Sequence, residues 1–233
     1  MIDWAWLSAH LGVLGERLLQ HLGLAALAIG AGFAISFPLA IFSVRHRRVY
    51  PPIAAVSGIL YTVPSLALFA ALVPITGLSV LTAEIPLVLY TLLIFVRNIV
   101  AGFDAVPLDV LEAADGMGHT PFQRLWRVEL PLALPLVIAG LRVASVSTIG
   151  LVTISGAIGD RFGGLGFFIF EGWRRSFPTE ILAGAVPSMV LAVAVDLLLV
   201  GLAGRATPWS RATRRAADGR ADGIDNGLAA GTA

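Results

Sequence analysis

The chain has 233 residues, 57% of them hydrophobic and 13% charged, with a formal net charge of +1 and a mean hydropathy of +0.86. Soluble domains carry about 25% charged residues, so this composition excludes a water-soluble globular protein and makes lipid the solvent for most of the chain. The absence of cysteine excludes a disulfide framework, a thiolate nucleophile and a Cys-ligated metal, and nucleic acid is not expected as a partner.

Residues 1–20 lack the basic start and unbroken apolar run of a cleaved leader, because Asp3, Glu16 and Arg17 interrupt them. Trp4, Trp6, Leu7, Leu11, Leu14 and Leu18 recur at helical spacing. This predicts a short amphipathic helix lying outside the membrane in its interface, the alternative being a frayed end. Five stretches then reach the length of about 20 apolar residues that a span requires: His21–Val44, Pro51–Val73, Leu78–Val96, Leu132–Ser155 and Ile181–Ala203. The expected architecture is an all-α polytopic membrane protein with five transmembrane helices in a domain over 21–203, followed by a disordered tail over 204–233. That tail is Ala, Gly, Asp and Arg with almost no large apolar residue. If the loop holding Arg45, Arg47 and Arg48 faces the cytoplasm, eleven arginines lie inside and four outside, with Arg142 inside a span. The bias places the amino terminus outside and the carboxyl terminus in the cytoplasm.

Within the second span Ser57, Tyr61 and Ser65 share one face, and Pro64 can kink the helix and free backbone carbonyls towards a cavity. Between the third and fourth spans runs a polar segment, 97–131, longer than structureless loops usually are. Pro107 suits a first helical turn, and Val110, Leu111, Ala114 and Met117 follow on one face. Gly116 and Gly118 break that helix, and Thr120 with Pro121 reads as the cap and first turn of a second. Its apolar stripe is Phe122, Leu125 and Trp126. Two short helices around a glycine turn suit a docking knob for a partner. Small Ala113 and Ala114 allow close approach, and Glu112 offers a carboxylate.

The string Glu112-Ala113-Ala114, Gly118 and Val128-Glu129-Leu130-Pro131 resembles the EAA motif of ABC importer permeases, with Val128 where the family usually has Ile. The resemblance implies a type I importer (MetI-like) permease fold. It also implies that Glu112, Ala113, Ala114, Gly116, Gly118, Leu130 and Pro131 dock ABC ATPase subunits, whose closure is passed to the membrane helices. Residues 61–67, Val96-Arg97-Asn98 and 159–166 are further similar to the osmoprotectant branch, which is implied to move glycine betaine, carnitine, choline or proline. Asp160 and Arg161 depart from that branch. The implied partners are a second permease subunit, identical or homologous, two ATPases, an extracytoplasmic substrate-binding protein and membrane lipid, in a bacterial cell membrane.

Ser57, Tyr61, Thr62, Pro64, Ser65, Asn98, Ser145 and Thr153 are candidate path residues, although hydroxyls in spans glue helices together as readily as they line a path. Tyr61 could face a quaternary ammonium. Arg142 and Asp196 lie deepest in their spans and are expected to pair; Glu84 is expected to reach water at its span's outer end. Gly163, Gly164 and Gly166, with neighbouring phenylalanines, predict a flexible apolar outer segment. It would be an external gate, a surface for the binding protein, or an interfacial loop. No His has metal-ligand spacing, so no metal is expected. The chain has no lysine and no Gly-x-x-x-x-Gly-Lys string. ATP and Mg are therefore assigned to the partner ATPase, and this chain is expected not to be an enzyme. An amino-acid permease is the alternative cargo reading, and an ATP-independent channel or small membrane enzyme the remote one.

Overall fold

In the computed structural model, residues 2–159 and 162–208 are described. The tail expected over 204–233 lies outside them from residue 209, as do Asp160 and Arg161. Four helices are long and apolar enough to cross a membrane, and a bent pair treated as one broken span makes five.

Helix α1 (Trp4–Ala9) is capped by the Asp3 side chain, which accepts from the Trp6 N–H. His10 breaks the chain, and α2 (Leu11–Arg45) then runs unbroken for 35 residues. The separate helix expected over 1–20 therefore ends at residue 9, and Leu11–Gln20 belongs to the first span. Nothing between Leu11 and Arg45 stops it, and even Pro38 lies within the helix. The following pair, α3 (Tyr50–Thr62) and α4 (Ser65–Thr76), is bent by 91°. The single span expected over Pro51–Val73 is thus broken. Pro64 supplies no N–H and holds Val63 extended at φ −64°, ψ 129°.

Helix α5 (Val80–Asp104) is the central element, packed on α2, α3, α4 and α8. It carries the core from end to end. Phe95, Val96, Ile99, Val100 and Phe103 join Ala40, Ala133, Val137 and Ala144 near the loop side. At the far side Leu87 joins Leu24, Ala25, Ala28, Phe69, Ile149 and Val152. Small residues set these helix distances. A Cβ on Gly102 would lie 2.9 Å from the Ala133 carbonyl oxygen, and one on Gly140 would lie 2.5 Å from Asn98 Cβ. Because α5 continues to Asp104, Arg97 and Asn98 are helical and the loop begins at Ala105, eight residues later than expected. Pro107 then disfavours a helical Val106 and acts as the cap of α6 (Leu108–Gly116), not as its first turn.

Helix α7 (Pro121–Arg124) does not end before the fourth span. It passes through a π turn (Leu125–Glu129) into α8 (Leu130–Ser155), giving one continuous 35-residue run from Pro121 to Ser155. Pro131 accounts for the wide turn: it has no N–H to give Arg127, and its ring would crowd that carbonyl in an α-helix. Helix α9 (Gly166–Arg174) leads to α10 (Pro178–Ala206), which packs on α8 and α9 and leaves Val186, Val190, Val193 and Leu197 exposed.

Candidate functional site

The docking loop is built by two caps and one turn. Thr120 and Gln123 form a reciprocal capping box at the start of α7. Gly118 has φ +78°, a left-handed conformation that favours glycine, and its N–H reaches the Asp115 carbonyl. Gly116 has no such duty. It is the last residue of α6, and a Cβ there would meet open space. The pair expected to form the turn reduces to Gly118.

Glu112 and Ala113 are exposed, whereas Ala114 is 1% exposed and packs inward. Only Ala113 of the two alanines can meet a partner. Around them Leu108, Met117 and Phe122 are 70–75% exposed and Trp126 is 45% exposed. Four large apolar side chains left uncovered on a polar loop make a surface suited to another protein. Leu130 packs against the loop-side core instead, and Pro131 sits in the first turn of α8.

Beneath this loop lies a buried ion network whose partners sequence reasoning missed. Glu129, 3% exposed, accepts from Arg45 Nη2 at 3.0 and 3.1 Å on its two oxygens and from Arg124 Nε at 2.8 Å. Arg124 also pairs with Asp115. One buried carboxylate thus ties the end of α2, the π turn and, through Arg124, the docking helix α6. In the sequence Glu129 stands within the Val128-Glu129-Leu130-Pro131 string, with nothing to name its partners.

The candidate path residues do not share one wall. Ser57 is buried, Thr62 and Pro64 are exposed, and Ser65 opens α4 beyond the bend. The ring of Tyr61, 43% exposed, meets Tyr90 edge-on at 5.7 Å, and the Tyr90 hydroxyl donates to the Val63 carbonyl at the bend. Asn98 lies away from this group, against Gly140, donating to the Ile94 carbonyl at 2.8 Å. On α8, Ser145 is buried, while Thr153 lines a cleft of about 340 Å³ against α10. Arg142 and Asp196 come together as a bidentate pair at 2.8 and 2.9 Å, joining α8 to α10. Removing one partner strands a charge in an apolar setting, and removing both does not. Arg142→Leu is accordingly expected to lower the melting temperature in detergent by about 5 °C or more, with Arg142→Leu/Asp196→Leu recovering most of the loss. Equal losses in the two proteins would count against the pair.

Glu84, expected to reach water, is instead 6% exposed, and neither carboxylate oxygen has a hydrogen-bond partner among the described residues. The expectation failed because neighbouring helices cover that end of α5. The flexible segment expected at Gly163, Gly164 and Gly166 is instead close-packed. A Cβ on Gly166 would lie 2.6 Å from the Thr153 carbonyl carbon and nearer still to its oxygen, and one on Gly164 would lie 2.8 Å from His21 Cβ. His21, fully buried, fastens the segment: its Nε2 donates to the Ile149 carbonyl at 3.0 Å, and its Nδ1 accepts from the Leu165 N–H at 3.3 Å. Here glycine serves contact, not motion. Trp6 of α1 packs edge-on against Phe168 and Phe177 beside it.

Comparison with known proteins gives this architecture its family. The chain is 39% identical over 193 residues to the osmoprotectant import permease protein OsmW of Salmonella typhimurium, covering 81% of this chain and 89% of that one. It is 38% identical over 200 residues to the carnitine transport permease protein OpuCB of Listeria monocytogenes, covering 86% and 90%. It is 33% identical over 203 residues to the choline transport system permease protein OpuBB of Bacillus subtilis, covering 87% and 93%. Among solved structures, the inward-facing MetNI methionine ABC transporter superposes with a TM-score of 0.74 at 20% identity, covering 85% of this chain and 98% of that one. An amino acid ABC transporter gives 0.71 at 17% identity, covering 88% and 99%. Residues 22–208 match the family of binding-protein-dependent transport system inner membrane components, and the chain belongs to that family of multi-pass permeases.

Proposed function

We propose that this chain is the membrane-spanning permease subunit of an ATP-driven importer of compatible solutes. The observation that carries the reading is the exposed loop face of Glu112, Ala113, Leu108, Met117 and Phe122. Phe122 lies on the extension of a membrane helix, and α6, which carries most of the face, is tied to that extension by the Asp115–Arg124 pair, so a partner can push there. In this reading two permease subunits, the same or homologous, stand with two ATPases that bind ATP and Mg, and an extracytoplasmic binding protein delivers the solute. The arginine bias turns the docking loop and carboxyl terminus to the cytoplasm and the amino terminus outwards. ATPase closure then shifts the permease between two states.

Glycine betaine, carnitine, choline or proline is the proposed cargo. Support comes from the osmoprotectant, carnitine and choline relatives and from the half-exposed ring of Tyr61, which could take a quaternary ammonium on its face. The test is uptake by proteoliposomes holding the permease, its ATPase and its binding protein. ATP-dependent accumulation of labelled glycine betaine or choline, at least tenfold above that of methionine, is expected. Recovery of the chain from native membranes without any ATPase overturns the ATP-driven reading. Uptake of methionine but of no quaternary ammonium overturns the cargo alone.

A further inference from the structure

We propose that Glu129 is the positioning residue that makes α2 follow α8 when the docking loop is displaced, so that it is needed for transport and dispensable for ATPase docking and hydrolysis. The inference rests on the ATP-driven reading and adds to it the route by which a push on the loop reaches a second membrane helix.

Three observations carry it. The first is continuity: Pro121 to Ser155 is one helical run, so displacement of α7 moves α8 directly. Helix α2 has no such covalent link to the loop, and what it shares with α8 at this end includes the apolar contacts of the loop-side core. Apolar contact is non-directional and lets helices slide, whereas a charge-assisted pair, here Arg45 Nη2 reaching both Glu129 oxygens at 3.0 and 3.1 Å, is directional and fixes position.

The second is placement. Arg124 precedes the π turn and Glu129 is its last residue, so their 2.8 Å bond spans the turn as a strut. π turns are rare and frequently found at functional sites. This one lies at the junction of docking loop and membrane helix, where flexing would dissipate a push. The same carboxylate then holds Arg45, the last residue of α2.

The third is burial. The Glu129 side chain is 4% exposed, against 31% for Arg45, 20% for Arg124 and 53% for Asp115. The Arg47–Asp104 pair nearby is exposed at 60% and 42%. An exposed pair is readily replaced by water; the Glu129 contacts are less so, because the carboxylate they share is buried.

The test uses the full chain with its ATPase and binding protein in proteoliposomes, reading three quantities: ATPase recovered per permease, ATP hydrolysed, and glycine betaine taken up per ATP. Glu129→Gln keeps the shape and removes the charge. Recovery and hydrolysis within twofold of wild type are expected, with uptake per ATP reduced at least tenfold. Arg45→Gln, which cuts the joint from the α2 side, should give the same signature, and Arg45→Lys should restore part of the coupling. Asp104→Asn, removing the exposed pair, should leave the ratio unchanged. Unchanged uptake per ATP in Glu129→Gln overturns the proposal, as does the same loss in Asp104→Asn. Failure of both Glu129→Gln and Arg45→Gln to assemble also overturns it, because the network would then be a folding requirement. Failure of the ATP-driven reading shows separately, as wild-type chain that recovers no ATPase.

Discussion

Gly118→Pro is expected to reduce recovered ATPase and solute uptake by more than tenfold while leaving the chain in the membrane. Three conflicts converge at this position. Proline fixes φ near −65°, and the loop needs +78°. Proline has no N–H, and that of Gly118 is bonded to the Asp115 carbonyl at 2.9 Å. Proline also disfavours helical backbone at the residue before it, and Met117 is held at φ −79°, ψ 2°. The turn between α6 and α7 must therefore re-form, moving Glu112 and Ala113 relative to Phe122. Gly116→Ala, two residues away in the same loop, meets open space in a helical turn and is expected to retain full docking. Glu112→Arg should abolish docking by reversing an exposed charge without touching the turn. Co-purification on a tagged permease, with uptake measured in parallel, reads all three. Normal uptake in Gly118→Pro and Glu112→Arg would falsify the docking role.

The second large effect is expected at Gly166. The added methyl of Gly166→Ala falls inside contact distance of the Thr153 carbonyl, and backbone cannot rotate away as a side chain can. Overpacking of well-fitted interiors costs roughly 1–3 kcal/mol, and a clash with main chain belongs at the top of that range or beyond. The consequence is local: the 163–166 segment must lift from α8, taking the Leu165 N–H from His21. Uptake is expected to fall at least tenfold and the melting temperature by about 5–10 °C, with membrane insertion retained. Gly159→Ala, whose added Cβ would meet nothing within 4 Å, is the matched control. Equal behaviour of the two variants in a thermal-shift assay would remove the close-packing argument.

Residues near in sequence proved legible. The spans declare themselves by length and apolarity, and Thr120 with Pro121 names its own helix start because a cap is a local interaction. Arg142 and Asp196 could be paired on depth alone, since two opposite charges in apolar helices have few other options. Proline was ambiguous. Pro38, Pro86, Pro135 and Pro187 all sit inside continuous helices, while Pro64 breaks one by 91°. What separates Pro64 is tertiary: the Tyr90 hydroxyl, 27 residues on, engages the Val63 carbonyl at the bend. The same limit hid Glu129, whose partner Arg45 is 84 residues away, and His21, bonded to residues 128 and 144 positions distant. Glycine misled for a related reason. Gly163, Gly164 and Gly166 read as freedom in isolation, and only the neighbouring chain shows that the missing side chains are space already occupied.

The continuity of α7 with α8 sets how far a push on the loop can be felt. From Pro121 to Glu129 the rod is about 13 Å long, and the 26 residues of α8 extend it by about 39 Å, at 1.5 Å per residue. A rod pushed at Pro121 carries the displacement past Glu129, and so to Arg45 of α2, before it reaches the far tip at Ser155. Ser155 stands two residues from Thr153, whose carbonyl meets Gly166. In the proposed importer, a stroke against the loop at one end of the helix is thereby felt at the Gly166 contact at the other.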